Sequence, residues 1–505
     1  MNRTTTVFGR EDVPKGGYVC EVAIGRRVIS APLKPVLNPA HCDEIVGAVA
    51  QGTVGHIEEA VHVAISAGAE WSAVSIDTRR QRLIDAADAI ESRIEELALL
   101  LTREQGKTRL EAEFDVRGAA VSLRYYADLA TEALGDRTFR ENDSTTILLG
   151  KRPIGVTGVI VPWNSPVHLA FLGIAPSLAA GNAVVVKPSS MAPLALGKTL
   201  EIVADLLPAG VINVVPGSGD VGAAIAAHPG VRKIFFTGST ETGKKIMEAA
   251  ASNLKRLSLE LGGNDPAIVL ASATITEKLA LEVLRGTFAL SGQVCFGIKR
   301  IYVHRSRYDD FVREFTSVAE RITVGDGTNE VVTMGPVNNR QQFDRVHDLI
   351  GAARESGATV AEAGTVADPA SWDSGYFIRP TIVTGISAHH SLVVEEQFGP
   401  VVPIIAFEDE DEVVGLANGT EFGLAASIWT DDISHAFELA PRIQAGSVFI
   451  NAHRAGVSDV STPFGGFKQS GLGREHGLAA LDACLETQVI GEYRDVSGFP
   501  LSALS

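Results

Sequence analysis

Cys295, in Ser291-Gly292-Gln293-Val294-Cys295-Phe296, has two readings. It is a small buried hydrophobe, or, given thiolate character and access, a nucleophile. Glu260 follows the run Arg256-Leu257-Ser258-Leu259 and precedes Leu261-Gly262-Gly263. A carboxylate in such company is structural or exposed, or, partly desolvated, a general base. Lys187 closes the apolar run Ala183-Val184-Val185-Val186. A lysine leaving a buried strand needs an anion or hydroxyls, so a structural ion pair competes with a sugar ligand.

Two glycine-bearing turns could hold phosphate. Gly217-Ser218-Gly219-Asp220-Val221-Gly222 spells GxGxxG straight after the strand-like run Val211–Val215. That is the dinucleotide fingerprint in a strand–turn–helix setting, though glycine-rich turns are frequent in this chain. The second turn, Thr237-Gly238-Ser239-Thr240-Glu241-Thr242-Gly243, opens another helical stretch. Ser239 there is a helix cap, and the same geometry offers free N–H donors to a pyrophosphate.

These residues need a frame. Apolar positions three and four apart predict helices over 56–71, 78–104 and 109–134, with Thr78 a candidate cap for the second. From 154 onward, short apolar runs at 156–162, 183–187, 211–215, 233–237 and 267–270 alternate with helical patterns at 166–180, 192–207 and 219–228. Such alternation marks a doubly wound parallel sheet with its crevice at the carboxyl ends of the strands. A second alternating block extends from near 265 to near 470. Its helices fall at 276–290, 306–321 and 338–356, and its strands at 299–303, 401–406, 425–430 and 447–450. Segments 145–152 and 486–493 read as isolated strands without an obvious partner nearby in sequence.

The chain's 505 residues exceed what one hydrophobic core organises, so two or three domains are expected. Apolar residues make up 45% and charged residues 21%, an ordinary globular balance. A net charge of -17 argues against nucleic-acid or anionic-membrane partners, and means that local donors must hold any phosphate-bearing ligand. Cys20, Cys42, Cys295 and Cys484 are scattered with no CxxC pair, indicating neither a metal site nor a disulfide framework. No secretion signal and no membrane-length apolar run is seen, so a cytoplasmic location is expected.

Taken in order, Pro162-Trp163-Asn164, Lys187-Pro188-Ser189, the Ser239 turn, Glu260, Cys295, Glu395-Glu396-Gln397-Phe398-Gly399-Pro400 and Pro463-Phe464-Gly465-Gly466-Phe467-Lys468-Gln469-Ser470-Gly471 closely resemble the aldehyde dehydrogenase superfamily. The spacings agree too, with 23 residues from Asn164 to Lys187 and 35 from Glu260 to Cys295. The resemblance implies an α/β fold in three parts. These are a Rossmann-type cofactor domain (1–130 and 152–261), a catalytic α/β domain (262–470), and a small β flap for oligomerisation (131–151 and 480–505). It implies a homodimer or homotetramer acting on a small-molecule aldehyde. Cys295 would attack the aldehyde, Asn164 and the Cys295 N–H would hold the oxyanion, and Glu260 would activate water against the thioester. The presence of Glu260 argues against the CoA-acylating members. NAD or NADP would be held by Lys187, Glu396, Phe398, Ser239 and the helix after it, with Gly238, Gly243, Thr237, Trp163 and Leu261 in the same cleft. The literal GxGxxG then becomes a structural turn.

Two departures bear on specificity. NAD-specific relatives often carry a Glu where this chain has Ser190, so removal of a like charge predicts that NADP is accepted. On the stretch after Asn164, Leu172 stands where an Arg would bind a carboxylate, and Gly173 where a Lys would relay protons to Glu475. With His168, Leu169, Leu172, Phe296 and Phe464, the pocket reads as apolar and suited to an aromatic or medium-chain aldehyde. Arg454 complicates this: on the loop at the pocket mouth it would bind a carboxylate tail or pair with Asp459. The alternatives are thus a semialdehyde dehydrogenase for a carboxylate-bearing substrate and a catalytically idle member of the family.

Overall fold

Strands rich in Val and Ile and buried on both faces pack between helices, which is why the runs after 154 pair in parallel. A computed structural model describes residues 8–453 and 459–494. Its eight-stranded sheet has Arg256–Glu260, Val231–Thr237, Val156–Ile160, Ala183–Lys187 and Ile212–Val214 as five adjacent parallel strands. Gly471–Leu472 closes one edge antiparallel, and the hairpin Val22–Ile24/Arg27–Ile29 the other. The chain proceeds from Val156–Ile160 outward on one side, then returns to place Val231–Thr237 on the other. The crevice between these two strand ends is the topological switch point, where doubly wound sheets bind ligands.

The second sheet has seven strands, in the order Thr359–Glu362, Thr381–Thr384, Val401–Phe407, Ile298–His304, Asp265–Val269, Ala425–Trp429 and Ser447–Ile450. All but the first run parallel. It presents the opposite end to the site. Glu260 is the last residue of a strand in the first sheet, whereas Cys295 and Glu396 precede Ile298–His304 and Val401–Phe407 in the second. Carboxyl ends of one sheet therefore face amino ends of the other, with Glu260 on one side and Cys295 and Glu396 on the other.

Three expectations need correction. The stretch 78–104 is two helices, Ile76–Glu91 and Ile94–Gln105, broken at Ser92–Arg93. The first is capped by Ser75, whose hydroxyl accepts the Thr78 N–H, so Thr78 lies inside the first turn. The two isolated strands are partners of each other. Thr145–Pro153 pairs antiparallel with Leu485–Tyr493 along nine residues, and Arg137–Asn142 completes a three-stranded sheet. Sequence distance hid the pairing. Leu485–Tyr493 forms an exposed edge carrying Val489, Ile490 and Tyr493. Among the described residues no helix is long and apolar enough to cross a membrane.

Candidate active site

Two cavities meet at Asn164, Thr237 and Cys295. The larger, about 450 Å3, opens over the switch point and is lined by Trp163, Gly238, Ser239, Leu261, Glu396 and Phe398 among others. The smaller, about 230 Å3, is lined by His168, Leu169, Leu172, Phe296 and Phe464, with Glu260 and Glu475 at its depth. Most of the sequence-selected residues thus lie in two compartments sharing one cysteine; Lys187, Ser190 and Gly243 line neither. Arg454 lies outside the described residues.

On the larger side, Ser239 caps Thr240–Ala250, accepting the Thr242 N–H at 3.3 Å and hydrogen bonding its hydroxyl at 3.0 Å. The Gly238 N–H is taken by the Glu260 carbonyl at 3.0 Å. Gly243 is a matter of space: a Cβ there would stand 2.7 Å from the Leu261 side chain. Trp163 meets Phe398 edge to face, with centroids 5.5 Å apart. Phe398 holds φ +53, a backbone state that a non-glycine residue keeps only under tight local constraint.

Lys187 and Ser190 do not line this cavity; they lie one strand over at the same carboxyl edge, where Lys187 pairs with Ile160. No carboxylate pairs with Lys187 among the described residues. Its ammonium reaches only the Pro188 carbonyl, at 3.3 Å. The structural ion pair is therefore not found, and burial pulls the lysine down to about 8. The GxGxxG helix packs beside it: a Cβ on Gly222 would come within 3.5 Å of the Lys187 stem. A buried cation without an anion fits an absent polar ligand.

Glu260 and Glu396 are both buried, and they differ. Glu396 accepts the Gly263 N–H at 3.1 Å, and burial raises its carboxyl to about 7. Neither Glu260 oxygen has a hydrogen-bond partner among the described residues. Burial first, then the neighbouring Glu475 charge, push the Glu260 carboxyl well above the usual range. Gly465 leaves it room, since a Cβ there would stand 3.0 Å from Glu260 Oε1. Glu475 itself is raised to about 7 by burial, against the opposing charge of Lys233. Gly173 has no space for a lysine, because a Cβ would meet the Phe235 ring at 2.8 Å.

Desolvation first, then the Glu396 and Glu260 charges, push the Cys295 thiol up, and the Lys299 charge opposes them. Lys299 is buried and donates to the carbonyls of Val294 and Gly292, tying the loop before Cys295 to its strand. That loop opens with Leu290 (φ +50) and Ser291 (φ +57), two successive left-handed non-glycine residues. Asn164 reaches across to it, its amide donating to the Gln293 carbonyl at 2.9 Å and leaving its second N–H available. Sequence reading missed Lys299, as well as Gln342 and Arg345, which line the larger cavity. A buried lysine inside the strand Ile298–His304 was the available signal.

Comparison with known proteins places this arrangement. The aldehyde dehydrogenase family matches residues 30–490. Retinaldehyde dehydrogenase 3 of Mus musculus is 38% identical over 461 residues, covering 90% of this chain and 88% of its own. Alpha-ketoglutaric semialdehyde dehydrogenase of Bacillus subtilis (strain 168) is 37% identical over 456 residues, covering 90% and 93%. The betaine aldehyde dehydrogenase of Staphylococcus aureus, solved in complex with NAD+, superposes with a TM-score of 0.90 at 33% identity, over 96% of this chain and 97% of its own. The chain belongs to the aldehyde dehydrogenase family, an oxidoreductase family acting on aldehydes.

Proposed function

We propose that this enzyme oxidises an uncharged aldehyde, aromatic or of medium chain length, to its carboxylic acid with NAD(P)+ through a thioester on Cys295. The meeting of the two cavities at Cys295 and Asn164 carries this reading. The larger cavity suits a nicotinamide cofactor: it offers the capped N-terminus of Thr240–Ala250, the Glu396 carboxylate and the Phe398 ring, and Lys187 lies one strand over at the same carboxyl edge of the sheet. A nicotinamide there supplies a hydride acceptor.

The chain's own residues supply the rest. The Cys295 thiol gives up its proton to water, and the sulfur attacks the aldehyde carbon. The Asn164 side-chain N–H and the Cys295 backbone N–H hold the oxygen as it gains negative charge. Loss of hydride leaves a thioester. Glu260, buried and raised, takes a proton from water, whose oxygen attacks the thioester carbon; the acid leaves, and Glu260 returns that proton to the departing Cys295 sulfur.

The smaller cavity favours an uncharged tail. Its described lining is apolar apart from Glu111, Asp115, Glu260, Glu475, two histidines and a few small polar groups. No lysine or arginine lines it among the described residues, so a carboxylate tail would meet like charge. Ser190 in place of a carboxylate supports use of NADP+. The exposed edge Leu485–Tyr493 supports a homo-oligomer, in which a neighbouring subunit covers it.

The test follows formation of reduced nicotinamide with benzaldehyde, phenylacetaldehyde, hexanal, acetaldehyde and succinate semialdehyde, with NAD+ and NADP+ separately. Oxidation of the apolar aldehydes, abolished in Cys295→Ala, is expected. Activity confined to succinate semialdehyde would overturn the pocket reading, and Arg454→Ala would then be expected to remove it.

A further inference from the structure

Between the helices Ile94–Gln105 and Arg109–Ala133 the chain is buried from Glu104 to Thr108, despite its polar sequence. This short connection, Glu104–Glu111, attaches to three parts of the site at once. The Glu104 carboxylate accepts the N–H groups of Leu194 and Ala195, each at 2.7 Å, at the start of the helix that follows the Lys187 turn. Glu111 Oε1 accepts the Leu290 N–H at 2.8 Å, where the left-handed pair before Cys295 begins. Between them, Lys107 Nζ donates to Asp115 Oδ2 at 2.6 Å and to the Asn164 carbonyl at 2.7 Å. Asp115 Oδ1 in turn accepts the His168 N–H at 2.7 Å, in the first turn of Pro166–Ala180.

We propose that Lys107 is a positioning residue for the oxidation, holding the Asn164 peptide so that its side-chain N–H points at the developing oxyanion. The inference rests on the oxyanion role given to Asn164 above. The Lys107–Asp115 pair is almost fully buried, at 0% and 2% side-chain exposure. Ion pairs this deep are poor sources of stability, since desolvation offsets their attraction. Capping the Pro166 helix needs only Asp115. The ammonium adds a link from that carboxylate to the Asn164 carbonyl, one residue before the N-cap Ser165. Asn164 is then held at both ends: its carbonyl by Lys107, its amide by the Gln293 carbonyl. Catalytic geometry of this kind is steep, and a misplacement of about 1 Å costs roughly 100-fold.

The test is a double-mutant cycle of Lys107→Met with Asn164→Ala, followed by burst and steady-state kinetics with an apolar aldehyde. Asn164→Ala is expected to lower kcat by about 100-fold or more. Lys107→Met alone should lower kcat by about 100-fold while the aldehyde KM and nucleotide affinity, read from equilibrium titration, stay within about threefold. Added to Asn164→Ala, it should cost less than about threefold, because the group it positions is gone. Multiplying losses would overturn the proposal and leave the role of Asn164 standing. A wild-type kcat in Asn164→Ala would remove the oxyanion reading and this proposal with it. Should Lys107→Met fail to fold, Lys107→Met/Asp115→Asn, which leaves no lone buried charge, carries the same cycle. Failure of both to fold would overturn the proposal by showing that the pair serves stability.

Discussion

The two cavities that share Cys295 are built on different principles. The larger is made from ends of regular elements: the strand ends at Ile160 and Thr237, the capped helix Thr240–Ala250, and the Glu396–Phe398 turn. Its carboxylate, Glu396, is fixed by a backbone N–H. The smaller is a packing of side chains from distant segments, with Phe296 against Phe464 at 5.2 Å and His476 stacked behind at 5.5 Å. Of its carboxylates, Glu260 is left without a partner among the described residues. A site that binds one constant ligand can be fixed by backbone, because that ligand never changes. A site that must take a changing tail and move a proton keeps an unsatisfied carboxylate and adjustable walls. Changes on one side should therefore leave the other intact.

The largest expected effect is on the unpartnered carboxylate. Glu260→Gln should still give a burst of about one reduced nicotinamide per active site and then turn over roughly 100- to 10,000-fold more slowly, as the thioester accumulates. Rapid-quench mass spectrometry of the Cys295 peptide would show the acyl adduct. Loss of the burst together with turnover would place Glu260 in the first half-reaction and blur the contrast with Glu396.

Next comes a pair of changes aimed at the separation itself. Ser190→Glu should reduce kcat/KM for NADP+ by about 10- to 100-fold through like-charge repulsion, leaving every aldehyde KM unchanged. Phe464→Ala should reduce kcat/KM for benzaldehyde and hexanal by about 10-fold with no change in the nucleotide KM, from lost apolar contact. If either variant moved the other ligand's constant, the two compartments would have to be treated as one.

The same division explains what could be read from sequence. The larger side was legible because strand ends, glycine turns and caps have fixed spacing; Ser239, Thr237 and Phe398 fall where their motifs suggest. The smaller side was legible in part: Leu169, Leu172, Phe296 and Phe464 do line one cavity. The Glu475–Lys233 charge relation was not, because it depends on which buried groups face each other across strands. The Glu104–Glu111 connection escaped notice for the opposite reason. Read alone it is a polar loop between two helices, and only tertiary contact reveals it to be buried. The pairing of Thr145–Pro153 with Leu485–Tyr493 spans over three hundred residues, beyond any local pattern.

The smallest effect expected is a pH shift, and its sign follows from the neighbours of Glu260. With Glu260 as the proposed base for deacylation, that step should fall as pH drops through the raised Glu260 pKa. Burial sets most of that elevation and the charge on Glu475 adds to it; Glu475 itself ionises near neutrality, at about 7. Glu475→Gln removes the like charge and leaves the burial. The acid limb of the deacylation rate, measured after the burst, should therefore move to lower pH, making the variant faster than wild type on the acid side by a few-fold at most. Lys233 keeps its Ser258 hydroxyl partner at 2.8 Å, so the change need not strand a buried cation. A limb that stayed in place would mean that burial alone sets Glu260. A limb moving upward would mean that Glu475 serves as a proton acceptor for Glu260, and the unpartnered Glu260 carboxylate would then be the first station of a relay.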